Sequence, residues 1–315
     1  MRSYHPRIES KEHSNFITSR SRNSELWFVN NQALTEATLG YLAKFSLRYQ
    51  AKVYAFAIEG NHIQMPVDFP EDNRSSFMRD FKSCVARSVT RHCPAFKGGT
   101  FWGRRYSNEF LPKAPDIEEY FFYTVLQPVN DGLVDKISEF PGYNCFEDAI
   151  SGIKRKVKVI DWAEYNATKV YKKNVNILDY TEELEFEYSR LPGYENLSQK
   201  EYIKLMREKL ELHRVESIRK RKERGISQSL GKRRLLLITP GSLPKNSKRS
   251  DINSFRPRVL SSCPKRREKC LNWYFNTLKS YYAASLDYRS GNHKALFPQG
   301  TYKPYINVNT VTKAN

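Results

Sequence analysis

The sequence predicts an α+β domain with a ferredoxin-like βαββαβ order and one added helix, followed by a mostly helical, basic extension. Three observations predict this class. Short alternating apolar runs occupy the first 111 residues, amphipathic helical stretches separate these runs, and long basic helical segments follow residue 198. We place the α+β domain at residues 1–145, a connector at 146–197 and the extension at 198–315.

Hydrophobic periodicity predicts the elements of the first domain. Alternation predicts strands, and apolar spacings of three, four and seven residues predict helices. The second helix is basic on one side, and the third ends before Pro128, which cannot continue a helix. The predicted order is strand Asn15–Ser19, strand Leu26–Asn30, helix Leu34–Tyr49, a strand–turn–strand unit at Lys52–Pro66, helix Asp72–Arg91, extended Thr100–Leu111 and helix Ile117–Gln127.

The second half of the chain is predicted in less detail. The segment from residue 141 to about 196, which holds most of the connector, mixes strands and loops. Ser198 with Glu201 three residues later has the spacing of a capping box, so a long helix begins there and runs to about Gly225. Residues Gly241–Asp251 are predicted to be a flexible basic linker, and a final helix covers about Lys269–Arg289.

The charge balance favours a polyanionic partner. The formal net charge is +19, and residues 214–269 alone carry 18 Lys and Arg against four Asp and Glu. These cations would bind phosphates. The alternative is a generic ribosome-like basic protein. The candidate contacts in the extension are Arg219, Lys220, Arg221, Lys222, Lys232, Arg233 and Arg234.

The remaining composition predicts a cytoplasmic, nucleoid-associated protein. No run is long and apolar enough to span a bilayer, and residues 1–15 lack the apolar core of a signal peptide. The five cysteines are scattered without a CxxC pair, which is typical of a reduced compartment without disulfides or a zinc site.

The segment Asn61–Gln64 holds the first candidate metal ligands. Residues i and i+2 of a strand face the same side, so His62 and Gln64 would point together while Ile63 turns into the core. The alternative is an ordinary strand histidine, because His-x-Gln is short enough to arise by chance.

Tyr123 and Gln127 are the second candidate pair. They lie four residues apart in the predicted third helix, so one helix face would carry both a phenol nucleophile and a third neutral ligand. The neighbouring Tyr120 and Phe121 leave an aromatic core stripe as the alternative.

Residues 101–106, FWGRRY, interleave aromatic and basic side chains. Bases stack on aromatic rings and arginine binds phosphate, so the pattern is typical of single-stranded nucleic-acid binding. A sheet strand with a solvated basic face is the alternative. The candidate DNA contacts here are Trp102, Arg104, Arg105 and Tyr106.

Together these segments resemble the REP-associated tyrosine transposases, single-strand DNA transposases of the HUH endonuclease superfamily with one catalytic tyrosine. Members have an Asn-His-x-His strand, a Trp-x-Arg-x-Tyr/Phe strand, and a helix whose Tyr precedes Asn-Pro-Val-x-x-Gly-Leu-Val. Here NHIQ stands at 61–64, WGRRY at 102–106, and QPVNDGLV at 127–134 after Tyr123. FPQGTY at 297–302 is similar to the tail of the longer members. The chain departs from the pattern at Gln64, where the family has histidine, and at Gln127, where it has asparagine.

The resemblance implies a metal-dependent endonuclease and strand transferase that forms a 5′-phosphotyrosine on single-stranded, hairpin or repeat DNA. Tyr123 would be the nucleophile, and His62, Gln64 and Gln127 would hold Mg²⁺ or Mn²⁺. Relatives act as monomers or homodimers. Because glutamine is a weaker ligand than imidazole, a catalytically weakened or domesticated DNA-binding and regulatory protein is one alternative. A basic RNA-binding protein is another, since RNA presents the same phosphates.

Overall fold

The structure is a computed structural model that describes residues 6–244 and 258–305. Part of the predicted linker, residues 245–251, lies outside the described residues. The elements in chain order are β1 Ser14–Arg20, α1 Gln32–Tyr49, β2 Lys52–Val53, β3 Ala57–Ile58, β4 His62–Asp68, α2 Arg74–His92, β5 Ser107–Leu111, α3 Ala114–Val125, α4 Gln127–Asn130, α5 Phe146–Ser151, β6 Arg155–Ile160, α6 Trp162–Tyr171, β7 Thr181–Phe186, α7 Gln199–Glu223, α8 Lys232–Leu235 and α9 Pro264–Arg289.

The first domain is built on one antiparallel sheet. Its strands run in the order β2–β4–β1–β5, and β3 pairs with the same edge of β4 as β2 does. The pair β2 and β3 therefore acts as one interrupted strand. Helix α1 connects β1 to this interrupted strand and α2 connects β4 to β5, so the predicted βαββαβ order is confirmed.

The register of β1 against β4 gives the two faces of the sheet different characters. Ile17 pairs with Met65 on one face, whereas Thr18 pairs with Gln64 on the other. The apolar face lies in the main core together with the inner sides of α1 and α2. The polar face lies under α3, because Phe16 contacts the ring of Tyr123 in that helix.

The connector packs against α1. Strands β6 and β7 form a two-stranded sheet, and a Cβ atom at Gly40 of α1 would lie 2.8 Å from the carbonyl oxygen of Lys158 in β6. Only glycine permits this close approach without movement of the backbone. Besides the predicted strands, the connector contains helices α5 and α6, which the sequence prediction missed.

The extension begins with α7, which lies along α3. The predicted capping box is confirmed, because the Ser198 side chain accepts from the backbone N–H of Glu201 and the Glu201 carboxylate accepts from that of Ser198. The His213 ring stacks on Phe122 of α3 at 4.4 Å between centroids. This contact places the middle of α7 beside the tyrosine-bearing helix.

The extension also covers the edge strand β5. The Phe110 backbone N–H donates to the carbonyl of Arg258 at 2.8 Å, and the N–H of Leu260 donates to the carbonyl of Phe110 at 2.9 Å. Trp273 and Tyr274 of α9 then pack on the Phe110 ring. An open strand edge would be exposed to pairing with other chains, and this segment removes that exposure.

Two predicted strands differ from the structure. Leu26–Asn30 is not a strand, because positive φ angles at Asn23 (55°) and Asn30 (48°) bend the chain around it. Of the predicted extended segment Thr100–Leu111, only residues 107–111 form a strand, and Trp102 makes a single bridge to Ser21. Across the described ranges 6–244 and 258–305, no helix has the length and apolar character to cross a bilayer.

Candidate active site

The polar face of the sheet carries two candidate residues of β4, His62 and Gln64, in adjacent rows. In the hairpin between β3 and β4, the Glu59 N–H donates to the carbonyl of His62 at 2.9 Å, and Arg20 of β1 pairs with His62 from the other side. The next row places Thr18 beside Gln64. His62 and Gln64 therefore point to the same side, as their i, i+2 spacing predicts.

His62 is held as a neutral imidazole. It is 7% exposed, and burial, together with repulsion from Arg20, lowers its pKa to about 3. Its Nδ1 lies 2.9 Å from the Asn61 side-chain oxygen, while the Asn61 amide nitrogen donates to the carbonyl of Ser24. Because the oxygen faces the ring, Nδ1 carries the proton and Nε2 keeps its lone pair. An oriented imidazole of this kind suits a metal ligand.

The two glutamines meet directly. The Gln64 amide nitrogen donates to the Gln127 side-chain oxygen at 3.1 Å, and the Gln127 amide nitrogen donates to Asp131 at 3.0 Å. The fold thus brings together two residues that lie 63 positions apart in the sequence, and their role as ligands stays a prediction. Gln127, however, begins its own short helix, because the chain breaks at Leu126 (φ −93°, ψ 6°). Pro128 explains the break, since it has no N–H to continue the helical ladder.

Tyr123 lies on α3 above this cluster and is 43% exposed. Partial burial, and then repulsion from Asp131, raises the pKa of its phenol, whereas Arg224 and Arg20 act to lower it. The neighbouring Tyr120 is the less suitable nucleophile, because burial raises its pKa to about 12. Of the two phenols, Tyr123 is therefore the more accessible and the one flanked by cations.

Tyr123 lines a groove of about 970 Å³, which is large enough for a nucleotide segment. It lies between α3 and α7. Tyr120 and Tyr123 line one wall, and Lys220 and Arg224 contribute positive charge from the α7 side. Glutamates on both helices also line the groove, so its charge is mixed.

The residues present fit a hard divalent ion. Because Asn61 occupies Nδ1 of His62 and Gln64 donates through its amide nitrogen, Nε2 of His62 and the carbonyl oxygen of Gln64 would be the ligand atoms, and Gln127 has a second lone pair on its own oxygen. Within the described residues, no three His, Cys, Asp or Glu side chains are arranged to hold a metal, so a metal here would depend on the amide oxygens. Oxygen-rich donors of this type suit Mg²⁺ or Mn²⁺ rather than Zn²⁺.

Sequence reasoning missed three charged residues around the cluster. Glu59 is 4% exposed, and burial, with added repulsion from Asp131, raises its pKa well above the ordinary value. Partial burial also raises the pKa of Asp131 itself. Arg20 influences His62, Tyr123 and Asp131. Of the three, only Glu59 could have been noticed in the sequence, because it directly follows an apolar run.

Among the predicted DNA contacts in the first domain, Trp102 needs correction. Its ring is 8% exposed, packs on Phe28 and Phe101, and donates its N–H to the carbonyl of Lys82 at 2.9 Å. A base therefore has no access to it. Arg104 and Arg105 are exposed. Tyr106 is half-buried, with the guanidinium of Arg7 3.3 Å above its ring.

Arg221 needs the same correction in the extension. It is 1% exposed, binds Asp135 at 2.7 Å and donates to the carbonyls of Val129 and Val134, so it fixes the loop after α4 to α7. The other predicted cations are exposed, and their DNA contacts stay predictions. Arg219 and Lys220 form ion pairs with Glu216, and the rest of this group is Lys222, Lys232, Arg233 and Arg234.

The fold and this site define a class: a βαββαβ domain whose added helix places a tyrosine above an imidazole and two amides. Residues 16–120 match the family model of the IS200-like transposases. The match covers about a third of the chain and confirms the resemblance to the single-tyrosine transposases.

Two solved structures are also similar to the chain. A REP-associated tyrosine transposase bound to a REP hairpin has 20% identity and a TM-score of 0.39, covering 49% of this chain and 88% of that one. A protein described as a transposase, from Deinococcus radiodurans, has 15% identity and a TM-score of 0.28, covering 38% of this chain and 92% of that one. No curated protein sequence matches the chain.

Proposed function

We propose that the chain cuts and rejoins single-stranded DNA, including hairpin or repeat DNA, with Tyr123 as the nucleophile. The observation that carries the proposal is the convergence of His62, Gln64 and Gln127 on the sheet face below an exposed tyrosine. Side chains from β4 and α4 meet there only because the fold closes around them. The alternative interpretation of the Tyr123 helix, an aromatic core stripe, does not account for three buried polar groups at one place.

The proposed reaction is a transesterification. The Tyr123 oxygen attacks the phosphorus, the bond between phosphorus and the 3′ oxygen breaks, and the phenolic proton passes in net terms to the released 3′-hydroxyl. The product is a 5′-phosphotyrosine. A 3′-hydroxyl from another strand reverses the step and joins the ends, so the cycle needs no ATP.

His62, Gln64 and Gln127 would hold Mg²⁺ or Mn²⁺. When bound, the ion would polarise the scissile phosphate and stabilise the charge that develops on its oxygens. The protein supplies the remaining requirements. Asn61 keeps Nε2 of His62 unprotonated, and Arg20 and Arg224 favour the ionised form of Tyr123. The raised pKa of this phenol leaves it protonated before DNA binds.

The proposed partner is DNA, on the basis of the transposase family and the surplus of positive charge. The exposed cations Lys222, Lys232, Arg233 and Arg234 would contact phosphates that flank the cleaved strand. The ion pairs of Arg219 and Lys220 with Glu216 are solvent-exposed and cost little to exchange for phosphate.

One observation favours a second candidate, a DNA-binding protein without strand cleavage. The Gln64 amide nitrogen donates to the oxygen of Gln127, so Gln64 turns its nitrogen, and not its carbonyl oxygen, towards the neighbouring proposed ligand. Metal binding must turn the Gln64 amide or displace this hydrogen bond. A neutral hydrogen bond contributes about 1 kcal/mol, which divalent-ion coordination can overcome.

The deciding experiment is a covalent-adduct assay. Purified protein is mixed with single-stranded oligonucleotides that span the DNA flanking its gene, with Mg²⁺ or Mn²⁺, and adducts are resolved on a denaturing gel. We expect a metal-dependent adduct that Tyr123→Phe abolishes and that Tyr120→Phe retains. DNA binding by Tyr123→Phe should stay within about twofold of wild type.

Two outcomes would count against the proposal. An adduct that survives Tyr123→Phe but not Tyr120→Phe would move the nucleophile to Tyr120. Tight hairpin binding without any adduct, in both metals, would favour the DNA-binding candidate and point to the amide pair as the reason.

A further inference from the structure

A second groove lies on the opposite side of the first domain from Tyr123. It has a volume of about 660 Å³ and runs between the outer sides of α1 and α2, with the start of α6 as its third wall. We name it the α1–α2 groove. It is lined by Tyr41, Lys44, Phe45, Arg48, Arg79, Asp80, Ser83, Cys84, Arg87, Arg91 and residues 160–163 and 166.

Helical periodicity aligns the cations of this groove. Arg79, Arg87 and Arg91 lie four or eight residues apart on α2, so they share one face of the helix. Lys44 and Arg48 are four residues apart on α1 and face them. At 1.5 Å per residue, the row on α2 is about 18 Å long. That length spans about five base pairs of duplex DNA at about 3.4 Å each.

Internal carboxylates neutralise only part of this charge. Asp80 forms ion pairs with Arg79 at 2.7 Å and with Arg48 at 3.8 Å. Asp161, the other acid in the lining, accepts hydrogen bonds from the first backbone N–H groups of α6. In the described part of the chain, no carboxylate forms an ion pair with Lys44, Arg87 or Arg91. Five cations against two carboxylates leave a positive groove.

An aromatic side chain completes the groove. The Arg91 guanidinium lies 4.4 Å above the ring of Trp162, which keeps this arginine extended along the groove wall. Trp162 itself is half-buried and packs edge-on against Tyr165. The combination of aligned guanidinium groups with an aromatic wall suits a sugar–phosphate backbone better than an acidic protein surface, because phosphates repeat at regular intervals.

We propose that the α1–α2 groove binds the phosphate backbone of a second DNA segment, separate from the strand at Tyr123. The two grooves lie on opposite sides of the sheet, because α1 and α2 cover the apolar face and α3 covers the polar face. A hairpin stem or a flanking duplex long enough to pass around the domain edge would contact both. The inference rests on DNA as the partner, but not on cleavage by Tyr123.

The test compares two triple variants with equal loss of charge. The groove variant is Lys44→Gln/Arg48→Gln/Arg87→Gln. The control variant is Lys136→Gln/Lys200→Gln/Lys279→Gln, three exposed lysines that line neither groove. Binding to a labelled hairpin with a single-stranded flank is measured by fluorescence anisotropy at several salt concentrations, after thermal unfolding shows that both variants fold.

We expect the groove variant to bind at least about tenfold more weakly in 0.1 M salt, and its log–log salt slope to fall by about 2 to 3, one increment per lost phosphate contact. The control variant should keep the wild-type slope. Arg87→Gln alone should lower the slope by about one, which guards against a folding defect in the triple variant.

Equal slopes for the groove and control variants would overturn the proposal, and so would unchanged DNA binding combined with lost binding to an acidic peptide. The proposed cleavage is tested separately, because the adduct on a short single strand should form equally well in the groove variant. If wild type and both variants all fail to form an adduct, the cleavage proposal is wrong. The salt slopes would still decide whether the α1–α2 groove binds DNA.

Discussion

The cluster below Tyr123 and the basic run at residues 219–224 behave in opposite ways. His62, Gln64 and Gln127 are distant or weakly patterned in the sequence, yet the fold brings them together. The basic run is continuous in the sequence, yet the helix separates its members: Arg221 is 1% exposed, whereas its neighbour Lys222 is exposed. Where a basic run is helical, the period of the helix therefore decides which of its charges reach a partner.

The comparison is sharpest at Arg221 and Lys222. Arg221→Met should lower the free energy of unfolding by about 2–3 kcal/mol, because it removes a buried ion pair with Asp135 and hydrogen bonds to two carbonyls. Lys222→Met should change it by less than about 0.5 kcal/mol. Urea unfolding measures both. Similar values for the two variants would mean that Arg221 is not the anchor that the structure indicates.

The sequence predicted the order of strands and helices because apolar periodicity reflects which residues reach the core. It also predicted that the side chains of His62 and Gln64 point to the same side of the sheet, because strand geometry alone determines this. It failed where tertiary packing decides the outcome. Trp102 has the composition of a stacking residue, but neighbouring aromatic rings and the Lys82 carbonyl hold it in the interior. No pattern within one segment records such a contact.

The charged surroundings of the site could not be predicted for the same reason. Asp131 helps to raise the pKa of Glu59, although the two residues lie 72 positions apart in the sequence. Deletion of everything after Ser198 is unsuitable as a test of DNA binding. It would remove Arg221 and the helix that covers Phe110, so stability would change together with binding.

The buried imidazole predicts a pH dependence. With its folded-state pKa lowered to about 3 from an ordinary 6.5, His62 is neutral in both states above pH 6.5. Below that pH the unfolded state takes up the proton first, so stability falls as the pH drops towards 3. In EDTA, wild type should lose about 1 kcal/mol per pH unit more than His62→Gln between pH 6.5 and 4.5.

Urea titrations of both proteins at three pH values measure this difference. The other histidines and the carboxylates are common to the two proteins, so their effects largely cancel. Parallel curves would show that His62 is not held neutral by its surroundings, and the case for an oriented ligand would then weaken.

Gln64→His tests the cluster from the side of metal binding. Imidazole is a stronger ligand than an amide oxygen and cannot form the Gln64–Gln127 amide pair, so we expect Mn²⁺ to bind about tenfold more tightly, a change of about 1.4 kcal/mol. Calorimetric titration of the protein without DNA measures it. Gln64→Leu is the matched variant and should bind more weakly than wild type. Equal affinities for all three proteins would place the metal elsewhere.

The smallest expected effect separates two exposed arginines of the basic extension. Arg233 forms no ion pair among the described residues, whereas Arg219 binds Glu216 and Glu223. Arg233→Gln should lower the log–log salt slope of hairpin binding by about 0.9. Arg219→Gln should lower it by less, because this arginine must first leave two carboxylates and the net gain from phosphate is reduced. Neither change should alter the unfolding free energy by more than about 0.5 kcal/mol. A larger slope change for Arg219 would show that an ion pair within the helix does not limit contact with DNA. Contacts within the protein would then withhold a cation from DNA only where the cation is buried, as Arg221 is.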